Sequence, residues 1–188
     1  MTTPELQRVE PSFEEYVAGR GGALLRSAWL LTGDRGQAQQ LVATALGKAV
    51  LHWRHVGEED GLYDAYVRRV LMATYLGRWR RRWAPVDLTV VSHASHAVSL
   101  AVSDADDGSG GAAGASTEAL RLRVADALAV LSRAQRAVVV LRFFEGLTEA
   151  QTAETLDCTM AAVRRRTAHA LAALGDTELL GASETTSA

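Results

Sequence analysis

TEAQTAETLDCTMAAVRRRTAHAL, running from Thr148 to Leu171, has the spacing of two short helices that cross at a tight turn. Helices approach that closely only over a small side chain, and Ala153 supplies one. Leu156 and Val163 plug the angle between them, Asp157-Cys158 makes the turn, and Thr159 caps the second helix. The turn position best suited to Gly, because its φ is positive, is held by Asp157, which tolerates the left-handed region better than most residues. Val163, Ala170, Leu171 and Leu174 are expected to point inward. That leaves Ala161, Ala162, Arg164, Arg165 and the outer parts of Arg166 and Thr167 facing out, with His169 on the same helix. Such a face fits a DNA major groove, its backbone amides near Thr159 aimed at phosphate. The Arg triplet suits both phosphate neutralisation and guanine reading. The plainer alternative is a helical hairpin whose Arg run is a solvated face.

Working outward, the same punctuation recurs. Ser132-x-x-Gln135 and Thr148-x-x-Gln151 are capping boxes, and Gly146 and Gly175 stand where C-terminal caps belong, which predicts helices near 118–131, 133–145, 149–156 and 160–174. In the first half, Ser12-x-x-Glu15 opens a helix from about Phe13 to Leu31, which Thr32-Gly33-Asp34 breaks. A second, about Arg35 to Arg54, places Leu41, Ala45, Leu46, Ala49 and Trp53 at three- and four-residue spacings. A third, about Leu62 to Trp83, carries Val67, Val70, Leu71, Thr74 and Tyr75 on one side and stops at Ala84-Pro85. Between the halves, Ser103 to Ser116 is small, polar and glycine-rich, unable to bury enough apolar surface to offset its ordering entropy, and is expected to be a flexible tether. The expected fold is all-α: two small helical domains on a flexible linker, divided as arm 1–12, bundle 13–83, acidic linker 84–117, helix-turn-helix domain 118–175 and acidic tail 176–188.

Charge follows that division. The 188-residue chain has formal net charge −2, yet residues 13–83 hold 11 basic and 7 acidic residues and 118–175 hold 8 and 6, while the linker has four Asp and no Lys or Arg. Two mildly basic modules joined and trailed by acidic segments point to a polyanion partner for the modules rather than for the whole molecule. The third helix adds a second signal at its end. Tyr75, Arg78, Trp79, Arg80, Arg81, Arg82 and Trp83 combine guanidinium groups for phosphate with ring faces on which an unstacked base can rest, a pairing suited to opened DNA.

Other classes find less support. A single thiol, Cys158, makes no internal disulfide and points to a reducing compartment. No apolar run approaches the ~20 residues of a membrane helix, and Met1-Thr2-Thr3-Pro4-Glu5 lacks the order of a signal peptide, so no membrane insertion and a cytoplasmic location are expected. The metal-like spacing His93-x-x-His96 has no nearby Cys or Glu to complete a site, and no phosphate loop or nucleophile-base arrangement stands in a fitting context. No enzyme activity, metal or cofactor is expected.

The order of these parts resembles the extracytoplasmic-function (ECF) sigma factors of bacterial RNA polymerase, especially their SigE-like actinobacterial branch. LSRAQRAVVVLRFFEGLTEAQTAETLDCTMAAVRRRTAHAL is similar to the family's region 4, and LLTGDRGQAQQLVATALGKAVLHW and YVRRVLMATYLGRWRRRW look like regions 2.2 and 2.3 to 2.4. The resemblance implies a factor that binds core polymerase, through its clamp helices and flap, and directs it to promoter DNA. On that reading Gln40, Leu41, Val42, Ala45, Leu46 and Trp53 belong to the core-binding surface. Ala73, Tyr75, Arg78, Trp79 and Arg80 to Arg82 bind and help melt the −10 element, and Thr159, Ala161, Ala162, Arg164, Arg165, Arg166 and His169 read the −35 element. An anti-sigma protein is a further partner of many relatives. The chain departs from the pattern at Gln39, Gln40, Ala43 and Thr44, where the family usually carries acidic residues and a Gln-Glu pair, and at Ala73, where Asn is common. Two competing readings follow: a helix-turn-helix regulator that works without polymerase, and a sigma-like adaptor.

Overall fold

The computed structural model describes residues 12–58, 62–77 and 112–184, and among them every regular element is a helix or helical turn. In chain order they are α1 (Phe13–Thr32), α2 (Arg35–Ala49), a 3-10 turn (Val50–His52), α3 (Trp53–Glu58), α4 (Tyr63–Tyr75), α5 (Ala112–Ala129), α6 (Arg133–Val139), a π turn (Val140–Phe144), α7 (Glu149–Thr155) and α8 (Met160–Glu184). The tether residues up to 111 and the basic run from Arg78 to Trp83 lie outside the described residues, as do His93 and His96.

The three capping boxes form as spelled. Ser12, Ser132 and Thr148 each accept from the backbone three residues on, and Glu15, Gln135 and Gln151 reach back to the cap amide. These reciprocal bonds satisfy donors that a helix start otherwise leaves open. Gly33 and Gly146, at φ 73° and 69°, close the helical runs before them in the left-handed region, where an added Cβ is strained.

Four boundaries differ from expectation. Helix α4 stops at Tyr75 rather than running to Trp83, because Gly77 turns left-handed at φ 68° and its amide bonds back to the Thr74 carbonyl. The second expected helix is divided at Val50–His52. Helix α5 starts at Ala112, inside the segment expected to be tether, because Ala112, Ala113 and Ala115 propagate a helix at little cost. Gly175 does not end α8: one Gly costs about 1 kcal/mol in a helix interior, and the helix runs on through Glu178, Leu179, Leu180 and Ala182, past a second glycine at 181, to Glu184.

In the first half, α2 is sandwiched between α1 and α4, so Ala38, Leu41, Val42, Ala45, Leu46 and Ala49 are buried together with Val67, Val70, Leu71 and Met72. Trp53 stacks on Tyr63 with ring centroids 4.3 Å apart and meets Phe13 edge-on at 5.2 Å. In the second half, α6, α7 and α8 surround Val138, Val140, Leu141, Leu156 and Val163, while Leu128, Leu131, Val139 and Ala170 join α5 to α6 and α8. The halves also touch. Leu30 of α1 packs on both apolar clusters, and the first of them runs on from Leu31 and Tyr75 to Ala137 and Leu141.

Candidate nucleic-acid interface

The turn of the helix-turn-helix is built from backbone bonds that the sequence allows. Helix α7 ends with the Leu156 amide on the Thr152 carbonyl, and the Cys158 amide reaches over the turn to the Ala153 carbonyl at 2.9 Å. Between them Asp157 takes φ 48°, the left-handed conformation its position demands. Thr159 then caps α8, its hydroxyl accepting from the Ala162 amide at 3.2 Å. Ala153 is buried at the crossing, and Leu156 and Val163 fill the angle, Val163 with no exposed surface. Ala170, two turns on, is equally enclosed.

Leu171 is a correction: it is 51% exposed rather than inward. Position 171 lies about 100° round the helix from 170, beyond the stripe set by Val163, Ala170 and the half-buried Leu174. Thr159, Ala161, Arg164, Arg165 and His169 are exposed, and Ala162, Arg166 and Thr167 are half-buried. One side of α8 therefore seats the helix while the other presents two exposed guanidinium groups. Arg166 leans back, Nη1 lying 3.5 Å from the Cys158 sulfur. Arg164 Nε donates to Glu149 Oε2 at 2.7 Å, which joins the first turn of α7 to the outer face of α8. Sequence reasoning missed Glu149, although its place beside the Thr148 cap, on the helix that crosses α8, was a usable signal.

The residues expected to open DNA are divided. Ala73 is half-buried on α4, and Tyr75 is buried at its end, while Arg78, Trp79, Arg80, Arg81 and Arg82 lie outside the described residues. Arg133, the first residue of α6, stands 5.6 Å over the Tyr75 ring and donates to its carbonyl at 3.5 Å. Burial pushes the Tyr75 hydroxyl above its ordinary pKa. The residues expected to meet polymerase are mostly interior. Leu41, Val42, Ala45, Leu46 and Trp53 are core, and Gln40 alone of that set is exposed. Their helical spacing marked burial correctly; here α1 and α4 close over both sides of α2. Lys48 shares that interior, its ammonium donating to the Thr74 hydroxyl at 3.2 Å, and burial pushes its pKa down.

Two polar networks were invisible in the linear sequence. Within the first half, Asp64 accepts from the Tyr16 hydroxyl at 3.0 Å and from Arg20 Nε at 2.9 Å. Burial alone raises an Asp64 carboxyl; the hydrogen bonds from Arg20 and Tyr16, with the charges of Arg20 and Arg68, outweigh it and hold the group below the usual carboxylate range. Burial first, then Asp64, drives the Tyr16 hydroxyl upward, so it stays a donor. Between the halves, the π turn ends at Glu145, whose carboxylate accepts from the Ser27 hydroxyl and, at 2.6 Å, from Arg68 Nε. These partners are 118 and 77 residues away in sequence, beyond the reach of any local pattern. Arg136 adds a 2.9 Å bond to the Leu31 carbonyl, and Arg69 pairs with Glu154 of α7 at 3.2 Å.

Among the described residues no cluster of His, Cys, Asp and Glu is placed to hold a metal ion, and no helix is long and apolar enough to cross a membrane. Residues 121–174, which enclose the whole turn and its supporting helices, match the family model described as Sigma-70, region 4. Over most of its length the chain is similar to the RNA polymerase sigma-E factor of Streptomyces coelicolor, at 37% identity over 173 residues, covering 86% of this chain and 83% of that protein. It is likewise 38% identical over 165 residues to the RNA polymerase sigma-E factor of Streptomyces avermitilis, covering 86% and 82%.

Proposed function

Since the chain belongs to the ECF sigma factors of the sigma-E type, and so directs promoter-specific transcription, we propose how its parts divide that task. Helix α8 enters the major groove of the −35 element, with Arg164 and Arg165 toward base edges and phosphates and the α8 N-terminus at Thr159 against the backbone. The observation that carries this is the seating of α8. Val163 and Ala170 are fully enclosed on one side, so Ala161, Arg164, Arg165 and His169 are held outward as a set.

The first half, 13–83, binds core polymerase and the −10 element. Helix α2 contributes there chiefly as a rigid spine, since its apolar side chains support α1 and α4 and its exposed positions near Gln37 and Gln40 carry no carboxylate. A charge-assisted bond is worth roughly 1.5–3 kcal/mol when well formed, so this surface grips polymerase less firmly than an acidic one. Tyr75 and the basic run after it meet the opened strand. Residues 84–117 lead between the two halves, with α5 opening at their end. The protein works in the cytoplasm on core polymerase and promoter DNA, by binding rather than by catalysing a reaction itself.

The test combines purified chain and core polymerase, measures co-elution, and transcribes a promoter library. Co-elution with initiation from a subset of promoters is the expected result. A chain that neither co-elutes nor initiates, yet shifts duplex DNA alone, is a regulator that works without polymerase; one that co-elutes without initiating is an adaptor.

A further inference from the structure

The first turn of α7 carries a carboxylate to the side of the helix-turn-helix from which Arg164 projects. Glu149 follows the Thr148 cap, and the capping box with Gln151 fixes the backbone that bears it. Across the turn, Arg164 follows Val163, whose enclosed side chain anchors the root of that arginine. Glu149 Oε2 accepts from Arg164 Nε at 2.7 Å, the arginine side chain being 64% exposed and the carboxylate side chain 35%. Nη1 and Nη2 of Arg164 make no hydrogen bond among the described residues. The neighbouring arginines are placed differently. Arg165 is exposed and has no ion pair among the described residues, while Arg166 leans back on the Cys158 sulfur at 3.5 Å. We propose that Glu149 is a specificity-determining residue that acts by positioning Arg164, a role that rests on the placement of α8 in the −35 groove. By holding Nε it keeps the Nη1 and Nη2 donors as a fixed fork for guanine, and it leaves phosphate binding to the unheld Arg165.

The chemistry of the fork comes first. A guanidinium carries five N–H donors in one rigid plane, and with Nε–H on the carboxylate the four on Nη1 and Nη2 remain. Guanine shows two adjacent acceptors, N7 and O6, to the major groove, whereas adenine sets an amino donor beside its N7. A fork held in one orientation pairs with the first pattern and meets the second donor to donor. An unheld arginine turns about its long side chain and settles on a phosphate as readily as on a base.

The fold gains little from the same contact. Exposed ion pairs add little stability, and Ala153, Leu156 and Val163 already hold the crossing. The charge of Glu149 also acts against DNA binding in general. A carboxylate beside a groove-facing helix repels the phosphates of every duplex alike. Specificity, however, is a difference of affinities, and it grows when binding to the wrong sequences is weakened more than binding to the right one. A group that repels all duplexes while orienting the reader of one base does both.

The experiment selects a duplex library with a randomised centre, using the full chain alone and loaded onto core polymerase. The bound fraction is sequenced, and single duplexes are then titrated. The starting protein is expected to require G at one position, and Arg164→Ala to remove that requirement. Glu149→Gln is expected to raise affinity a few-fold for the preferred duplex and further for duplexes with another base there. Discrimination at that position alone then falls about fivefold, the lower end of what a bidentate arginine–guanine pair supplies. Arg164→Lys keeps the charge but not the fork, so it is expected to lose the same preference with Glu149 in place. Arg165→Ala is expected to weaken all duplexes alike and to keep every base preference. In an Arg164→Ala background, Glu149→Gln is expected to change no base preference.

A G requirement that Arg164→Ala removes and Glu149→Gln leaves intact overturns the proposal while sparing the placement of α8. A preference that Glu149→Gln alters in the Arg164→Ala background overturns it too, since the carboxylate then reads a base itself. Loss of a base preference in Arg165→Ala overturns the division between the two arginines. If Arg164→Ala changes no preference at any position, the placement of α8 in the groove fails and the role of Glu149 fails with it.

Discussion

Val163 and Leu171 are both apolar residues of α8 that the sequence assigns to the inner side, and only Val163 is there. Replacing each with Ala therefore separates the observed seating of the helix from the simpler pattern. Val163→Ala deletes two carbon groups from a fully enclosed site, a transfer loss of about 1.6 kcal/mol at about 0.8 kcal/mol each. The void left between α7 and α8, up to roughly 50 Å³, adds about 1 kcal/mol if the helices do not close over it. The expected loss is thus about 2–3 kcal/mol, read from the midpoint of urea unfolding with an unchanged slope. Leu171→Ala exposes a position already half in solvent and gains helix propensity, so it is expected to cost under about 1 kcal/mol. Duplex binding should weaken for Val163→Ala, because the crossing angle it props open aims Arg164 and Arg165. Equal losses for the two variants, or a loss below about 0.5 kcal/mol for Val163→Ala, would refute the placement of α8.

Three other expectations follow from single contacts. Arg164→Ala should weaken duplex promoter binding roughly 5- to 150-fold and lower the salt slope by about 0.9, whereas Glu149→Gln, which releases that guanidinium from a carboxylate, should tighten binding a few-fold; a fluorescence titration at several salt concentrations checks both. The Thr152 hydroxyl is buried without a hydrogen-bond partner among the described residues, so Thr152→Val should leave stability unchanged or raise it by up to about 1 kcal/mol in thermal unfolding; a loss above that size contradicts its apolar surroundings. Because Asp64 has a folded pKa below its unfolded value of about 3.9, its pairing contributes fully above that pH and is lost as pH falls through the folded value. Acid unfolding of Asp64→Asn should accordingly begin from a lower plateau and show a shallower fall below about pH 4, an effect reduced by the exposure of both Asp64 and Arg20.

What could be read in the sequence was local. Capping boxes, the left-handed glycines at 33 and 146 and the αL tolerance of Asp157 act within four or five residues, so their spacing specified helix starts, stops and the turn before any packing was known. The same holds for Val163 and Leu156, whose inward aim follows from helix geometry across one short turn. Helix ends without strong punctuation were less legible. Helix α8 passed Gly175 because a glycine that keeps helical backbone costs only about 1 kcal/mol, and α4 ended before Gly77 because the left-handed backbone there closes the helix.

Burial on a second side was decided only by tertiary structure. Leu41, Val42, Ala45 and Leu46 of α2, which the resemblance assigns to the core-binding surface, have the spacing of an apolar face, and nothing in that spacing tells whether a partner or the chain's own α1 and α4 will cover it; here α1 and α4 do. Leu171 shows the reverse case, an apolar residue left outside because none of the described residues covers its side of the helix. The polar contact between the halves belongs to the same class, since Glu145, Ser27 and Arg68 come together only when helices far apart in the chain fold against one another. Sequence determined most of the helices, their caps and the turn of the helix-turn-helix, through forces that act within a turn or two of backbone. Three-dimensional packing determined which apolar residues remain available and which charges meet, because desolvation and ion pairing depend on distance in space.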